Sequence, residues 1–307
     1  MVWTALWIVY IVWGSTYLAI RVTVETLPPL LSMGVRFMVA GLILYTVLLV
    51  KRGRAGVRVT RPQLLASAIV GSFLFLGANG MVAVAELEVP SSLAALIISS
   101  VPLWVILFRS LGGDKATRGT FLGVAAGFAG VAVLVQPGSR PEGVGLWGVA
   151  LLVIASASWA GGSFLSTRFE MPRDLLLSAT YQMIGGGIAL VLGGFLRGET
   201  SGFDASAWSA GSLSAFVYLV FIGSLVGFTA YAWLLQNAPI SKVSTYAYVN
   251  PIVAIFLGWL ILDESVTTAT LIGASVIVAS VAFIVKKEVQ PHAEIEEIPA
   301  PVGATSP

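Results

Sequence analysis

The chain has 307 residues, of which 57% are hydrophobic and only 10% charged, with no cysteine and one histidine. That composition excludes a soluble globular domain and marks an integral membrane protein. The missing thiols exclude disulfides and cysteine-ligated metals, and a formal charge of +2 is too small to point to nucleic acid.

Ten apolar runs of roughly 18–25 residues, each enough to cross a hydrocarbon core of about 30 Å, lie near 3–21, 31–50, 62–86, 89–108, 119–136, 145–167, 175–196, 212–236, 240–262 and 267–285. The start, MVWTALW, lacks a basic n-region, so the first run is expected to be a retained helix. Within it, Trp13 and Tyr17 form an i,i+4 pair, whereas Trp3 and Trp7, like Trp208 later, suit a membrane interface. In the second run Arg36 puts a full charge inside the span, about five residues or roughly 8 Å from its outer end. Its insertion costs about 2.5–3.5 kcal/mol, so it needs a wet cavity or a partner. Glu25 and Glu86 are the acidic candidates for that partner; a role for Arg36 in gating or in holding an anionic group stands against snorkelling and helix packing.

In the third run Asn79 and Glu86 stand seven residues apart, on one helix face. A carboxylate facing a cavity there can take up and release protons; the plainer reading makes Glu86 a helix-end carboxylate beside Glu88 and has Asn79 bonding a neighbouring helix. The fourth run carries Ser99, Ser100, Pro102 and Trp104, and the ninth carries Ser241, Ser244, Thr245, Tyr246, Tyr248 and Asn250 ahead of Pro251. Each proline releases the carbonyl four residues back, on Ile98 and Ala247. A released carbonyl is tolerated at membrane depth only where protein or water satisfies it, so both helices are expected to line a cavity or its gates, unless Ser99 and Ser100 satisfy Ile98 locally. Trp159 and Ser163 pair in the sixth run; Gln182 and Gly185-Gly186-Gly187 lie in the seventh and Tyr231 in the eighth. Together with Trp13, Trp104 and Tyr246, the aromatic residues form either an amphipathic wall for an organic solute or packing anchors. Small-xxx-small pairs such as Gly123/Gly127 and Gly223/Gly227 suit close helix packing. The terminal EVQPHAEIEEIPAPVGATSP, holding His292, is expected to be a disordered cytoplasmic tail.

The sequence also repeats. Pro90 and Pro102 fall on Pro239 and Pro251 at an offset of 149, as Asp114 does on Asp263; upstream, at 146, Trp13 falls on Trp159, Ser32 on Ser178 and Arg36 on Gln182. The boundary lies near 138–143, giving repeats at 1–138 and 145–287 and a tail at 288–307. With the N-terminus inside, thirteen of the seventeen basic residues fall in inner loops and the tail, which puts both termini in the cytoplasm. Five helices per repeat is an odd number, so the second copy is inverted. The expected fold is an all-α integral membrane protein of ten transmembrane helices in two inverted five-helix repeats. Among secondary transporters, that topology places a substrate site near the midplane between the halves.

The stretches WGSTYLAIR at 13–21, GVRF at 34–37, GANGMVAVAE at 77–86, VPSSLAALIISSVPL at 89–103 and STYAYVNPIVAIFLG at 244–258 resemble the EamA family of the drug/metabolite transporter superfamily. The resemblance implies a bacterial inner-membrane protein whose cavity is lined mainly by helices 1, 3, 4, 6, 8 and 9, in a family that includes amino-acid and metabolite exporters. The resulting expectation is a secondary transporter exporting neutral or hydrophobic amino acids by alternating access, with protons as candidate coupling ion, as monomer or homodimer, without cofactor or metal. The substrate-binding candidates are Trp13, Tyr17, Asn79, Ser99, Trp104, Trp159, Ser163, Gln182, Tyr231 and Tyr246. Glu86, Arg36, Pro102 and Pro251 are the coupling and gating candidates. Rival readings are efflux of amphipathic drugs and a non-transporting scaffold or scramblase. An enzyme is disfavoured because no span holds a histidine, cysteine or aspartate.

Overall fold

The structure is a computed structural model that describes residues 1–113, 118–136, 144–201 and 204–296. Asp114, Lys115, Thr117, Arg140, the repeat boundary at 138–143 and the tail after Glu296 lie outside the described residues, as does the side chain of His292.

The apolar runs fold as helices in chain order: α1 Val2–Val24, α2 Pro29–Gly56, α3 Arg61–Ala85, α4 Ser91–Leu111, α5 Arg118–Val135, α6 Leu146–Ser166, α7 Leu175–Leu196, α8 Ala210–Asn237, α9 Tyr246–Leu262 and α10 Thr268–Glu296. Seven are long and apolar enough to cross a membrane; α5, α9 and the apolar part of α10 are shorter. The shortening of α9 has a local cause. The expected run from 240 is interrupted after a four-residue helix, Ile240–Val243, where Ala247 and Tyr248 donate N–H to the carbonyls three residues back instead of four. The last helix continues to Glu296, past Lys287, where the tail was expected to begin.

Four more helices depart from regular α geometry, α2 among them at Gly53, whose φ is 70°. α4 breaks at Ser99-Ser100, just before Pro102. Both α3 and α8 contain a π-helical segment, Ser72–Gly80 and Leu219–Val226, starting 147 residues apart, close to the repeat offset. Such segments shift the register of the side chains beyond them and are common at functional sites.

Close packing joins helices from the first and second halves of the chain. α2 and α7 lie antiparallel, Gly34 against Val191 and Gly41 against Ile184, so close that a Cβ on Gly34 would come 2.9 Å from the Val191 nitrogen. α5 and α10 pair the same way, Gly123 against Ile284 and Gly130 against Ile277. α1 packs on α8 and α9, while α6, its repeat counterpart, packs on α3 and α4. Small residues permit these approaches, as in other membrane bundles.

The α2/α7 pair is fastened at both ends. Asp174 caps α7, accepting from the Leu177 N–H at 2.8 Å, and pairs with Arg52 at 3.1 Å. At the opposite end Glu199 accepts from the backbone N–H groups of Leu30 and Leu31 at 3.0 and 2.9 Å, satisfying the first donors of α2. Partial burial pushes the Asp174 carboxyl up, but the Arg52 guanidinium and the N–H groups of Leu177 and Leu176 outweigh it and hold it below the ordinary carboxylate value. A depressed folded-state value stabilises the fold above the unfolded carboxylate range, and that stability is lost as pH falls through the folded value. Asp174→Asn is therefore expected to cost at most about 1 kcal/mol at neutral pH, because the pair is partly exposed. In melting curves in detergent, the gap between wild type and variant should close on acidification.

Arg52, Arg54, Arg58, Arg61, Arg109 and Arg168 gather at one end of the bundle, and Glu25, Glu86, Glu88, Glu199, Asp263 and Glu264 at the other.

Candidate substrate cavity

A cavity of about 900 Å³, counting its open mouth, lies where α1, α2, α3, α4, α6, α8 and α9 meet. The broken helices build much of its wall. Asn79 comes from the π segment of α3, where its Nδ2 donates to the Leu74 carbonyl at 3.0 Å, within its own helix and not to a neighbour as expected. From α4 the wall takes Ile98, Ser99 and Pro102, and from α9 Tyr246, Ala247, Asn250 and Pro251. The carbonyls released by the two prolines thus belong to cavity residues. Ser99 and Ser100 do not serve Ile98; their hydroxyls donate to Leu96 and Ile97, both at 2.6 Å.

Trp13 dominates the aromatic side. Its ring meets those of Phe228, Tyr231 and Tyr246 with centroids 5.4, 4.9 and 5.3 Å apart, distances typical of favourable aromatic pairs. Tyr17 continues the wall toward the acidic end, and Trp159 faces in from α6.

Arg36 also lines the cavity and is 2% exposed. Its Nε donates to Ser224 Oγ at 3.0 Å, its Nη1 reaches Met33 Sδ at 3.5 Å, and its guanidinium lies 4.5 Å over the Phe37 ring. Neither Glu25 nor Glu86 pairs with it. The acceptor is instead a hydroxyl on the π segment of α8, which no pairing of charges in the sequence suggests.

Glu86 is not the interfacial carboxylate that its place at the end of α3 suggested. It is fully buried, and neither carboxylate oxygen has a hydrogen-bond partner. Its backbone carbonyl accepts from Arg21. One turn before it, Val82 lines the cavity. Close by, Glu264 joins the end of α9 to the start of α4: it accepts from Ser91 N–H at 2.7 Å, Ser91 Oγ at 2.8 Å and Ser92 N–H at 2.9 Å. Sequence reasoning did not single out Glu264, although a carboxylate after one helix facing the unpaired N–H groups of another is a recurrent arrangement. Glu264→Ala strands the donors of two buried serines and is expected to cost about 2 kcal/mol, read as a lower melting temperature in detergent.

Trp13, Tyr17, Arg36, Asn79, Ser99, Pro102, Trp159, Tyr246 and Pro251 are thus brought together on one cavity. Five candidates do not line it. Tyr231 stacks behind Trp13 and Tyr246. Ser163 donates to the Trp159 carbonyl within α6, and Gln182 donates to Ser178 Oγ within α7. Trp104 packs against Phe108 and Phe128 on the α5 side, with its Nε1 unpartnered. Glu86 sits one turn beyond the wall. Thr16, Ile20 and Phe228 line the cavity without having been singled out.

The EamA-like transporter family matches residues 2–136 and 146–286, one match for each half. The chain is 36% identical over 284 residues to the uncharacterized inner membrane transporter YedA of Escherichia coli (strain K12), covering 91% of this chain and 89% of that protein. It is 26% identical over 290 residues to a probable amino-acid metabolite efflux pump of the same strain, covering 88% and 90%. A solved structure, described only as a crystal structure of a protein, superposes with a TM-score of 0.64 at 20% identity, over 94% of this chain and 99% of that one, a likeness of fold alone. With both halves matched and such identity sustained along nearly the whole length, the chain belongs to the EamA-like transporter family.

Proposed function

We propose that this transporter exports small neutral or hydrophobic amino acids across the bacterial inner membrane by alternating access, exchanging them for protons through Glu86. The observation that carries the reading is the cavity itself: aromatic walls, hydroxyl and amide groups, and one guanidinium, at the meeting of helices from both halves.

Several observations support two inverted five-helix repeats with both termini cytoplasmic. α1 with α8 and α9 mirrors α6 with α3 and α4. The π segments of α3 and α8 fall at the repeat offset, and the basic end collects the inner-loop arginines. In such transporters one half rocks against the other around a fixed site. Trp13, Tyr17, Asn79, Ser99, Trp159 and Tyr246 contact the solute in this account, while Pro102 and Pro251 keep α4 and α9 deformable and leave the Ile98 and Ala247 carbonyls available to an ammonium group. The name of the efflux-pump relative agrees with the substrate class.

The test is flux of radiolabelled leucine, phenylalanine, alanine and a set of organic cations through proteoliposomes of the purified protein. Saturable amino-acid flux, lowered at least tenfold by Trp13→Ala, is the expected result. Flux of the cations alone would replace this reading with amphiphile efflux, and no solute-specific flux would leave only a scaffold or scramblase.

A further inference from the structure

We infer that Arg36 is the receptor for the substrate's carboxylate, so that the cavity selects solutes carrying an unesterified, unamidated carboxyl group. This rests on the export reading above and narrows its substrate class. The guanidinium is almost wholly buried yet lines the cavity, and no carboxylate pairs with it among the described residues. One donor, Nε, is used by Ser224; the guanidinium also meets a thioether and an aromatic face, and neither offers an oxygen. An arginine held at membrane depth without an anion is costly unless a cavity or ligand compensates it.

Its setting also fixes it in place. Ser224 holds Nε from α8, the Phe37 ring lies beneath the guanidinium plane, and Gly223 leaves room beside Nη2, where a Cβ would come within 3.3 Å. The two terminal nitrogens form a planar fork suited to the two oxygens of a carboxylate, which is the strongest geometry a guanidinium makes with an anion. The fork is tied to both repeats, since Arg36 comes from α2 and its anchor from α8. A carboxylate arriving there is sensed by helices of both halves.

The experiment is binding to the purified full-length protein in detergent, read by tryptophan fluorescence from the cavity, with three probes of one shape: L-leucine, 4-methylpentanoate and L-leucinamide. Each is titrated into wild type, Arg36→Gln and Arg36→Lys. Wild type is expected to bind leucine and 4-methylpentanoate at least tenfold more tightly than leucinamide. Arg36→Gln should abolish that preference by weakening the two acids, and Arg36→Lys should restore it in part. Leucinamide binding as tightly as leucine to wild type overturns the assignment, as does a folded Arg36→Gln protein that keeps the preference; the wild-type comparison stands even if the variants fail to fold. Leucine flux in proteoliposomes without carboxylate preference removes this inference and keeps the export reading. Arg36-dependent binding of 4-methylpentanoate without flux of any amino acid does the reverse, and absence of saturable binding by either acid overturns the assignment.

Discussion

Gly71→Leu is expected to abolish the folded protein, with the monodisperse peak in detergent size-exclusion chromatography lost. α3 crosses α7 at this residue so closely that even a Cβ would come 2.2 Å from the Gln182 carbonyl oxygen and 2.9 Å from its carbon. From the other side, a Cβ on Gly186 would come 2.4 Å from the Gly71 oxygen. Both obstacles are backbone, so no side-chain rotation relieves them and the helices must separate by about 1 Å to restore an ordinary contact. Overpacking of this kind costs about 3 kcal/mol or more, and here it strikes the crossing that seats the π segment and its cavity residues. Gly71→Ala should lower the melting temperature while leaving some folded protein. Gly211→Ala, where the nearest obstacle is a hydroxyl 3.7 Å away, should change little.

Glu86→Gln is expected to abolish the response of transport to a pH gradient while leaving gradient-independent counterflow within a few fold of wild type. The carboxylate is buried without a hydrogen-bond partner, a condition relieved either by taking a proton or by exposure to water. The groups within electrostatic reach are Tyr17 and Arg21 from α1 and Glu264 from the end of α9; Glu264 opposes the charge and Arg21 favours it. Opening the acidic end would bring water to Glu86 and release the proton, and closing it would require the proton back. Because the Glu86 carboxyl oxygens have no hydrogen-bond partner to lose, the variant should melt no lower than wild type. Gradient-driven accumulation falling at least tenfold at unchanged melting temperature is the predicted pair of results. A retained gradient response would take Glu86 out of the mechanism.

The positions of the helices were legible in the sequence because membrane spans are set by length and apolarity, and both are local. The cavity was legible where one residue type had one physical need. Pro102 and Pro251 had to sit where released carbonyls are tolerated, and Arg36 had to face polar space. What remained hidden depended on register. The π segments of α3 and α8 carry no proline or charge signature, yet they decide that Asn79 faces the cavity and that Ser224 meets Arg36. Trp104 and Tyr231 have the chemistry of a binding wall but fall on faces packed against other aromatics. Gln182 failed as a candidate for a related reason: at the repeat position of Arg36, its backbone is the seat of a helix crossing. Glu86 was misplaced because its position along the helix was read as its depth, while the side chain is fully buried in the bundle.

Rocking of the two halves is the central claim, and the absence of native cysteine makes it directly measurable. Spin labels at Leu87 and Ser265 would report the acidic end, and labels at Leu111 and Asn237 the basic end, each pair joining one half to the other at exposed positions. Distances would be measured by pulsed electron resonance in lipid nanodiscs, with and without saturating leucine and at two pH values. The account predicts two populations at each end that shift in opposite directions, the acidic-end pair lengthening as the basic-end pair shortens. Distances that stay single and fixed at both ends in a preparation that transports leucine would contradict it.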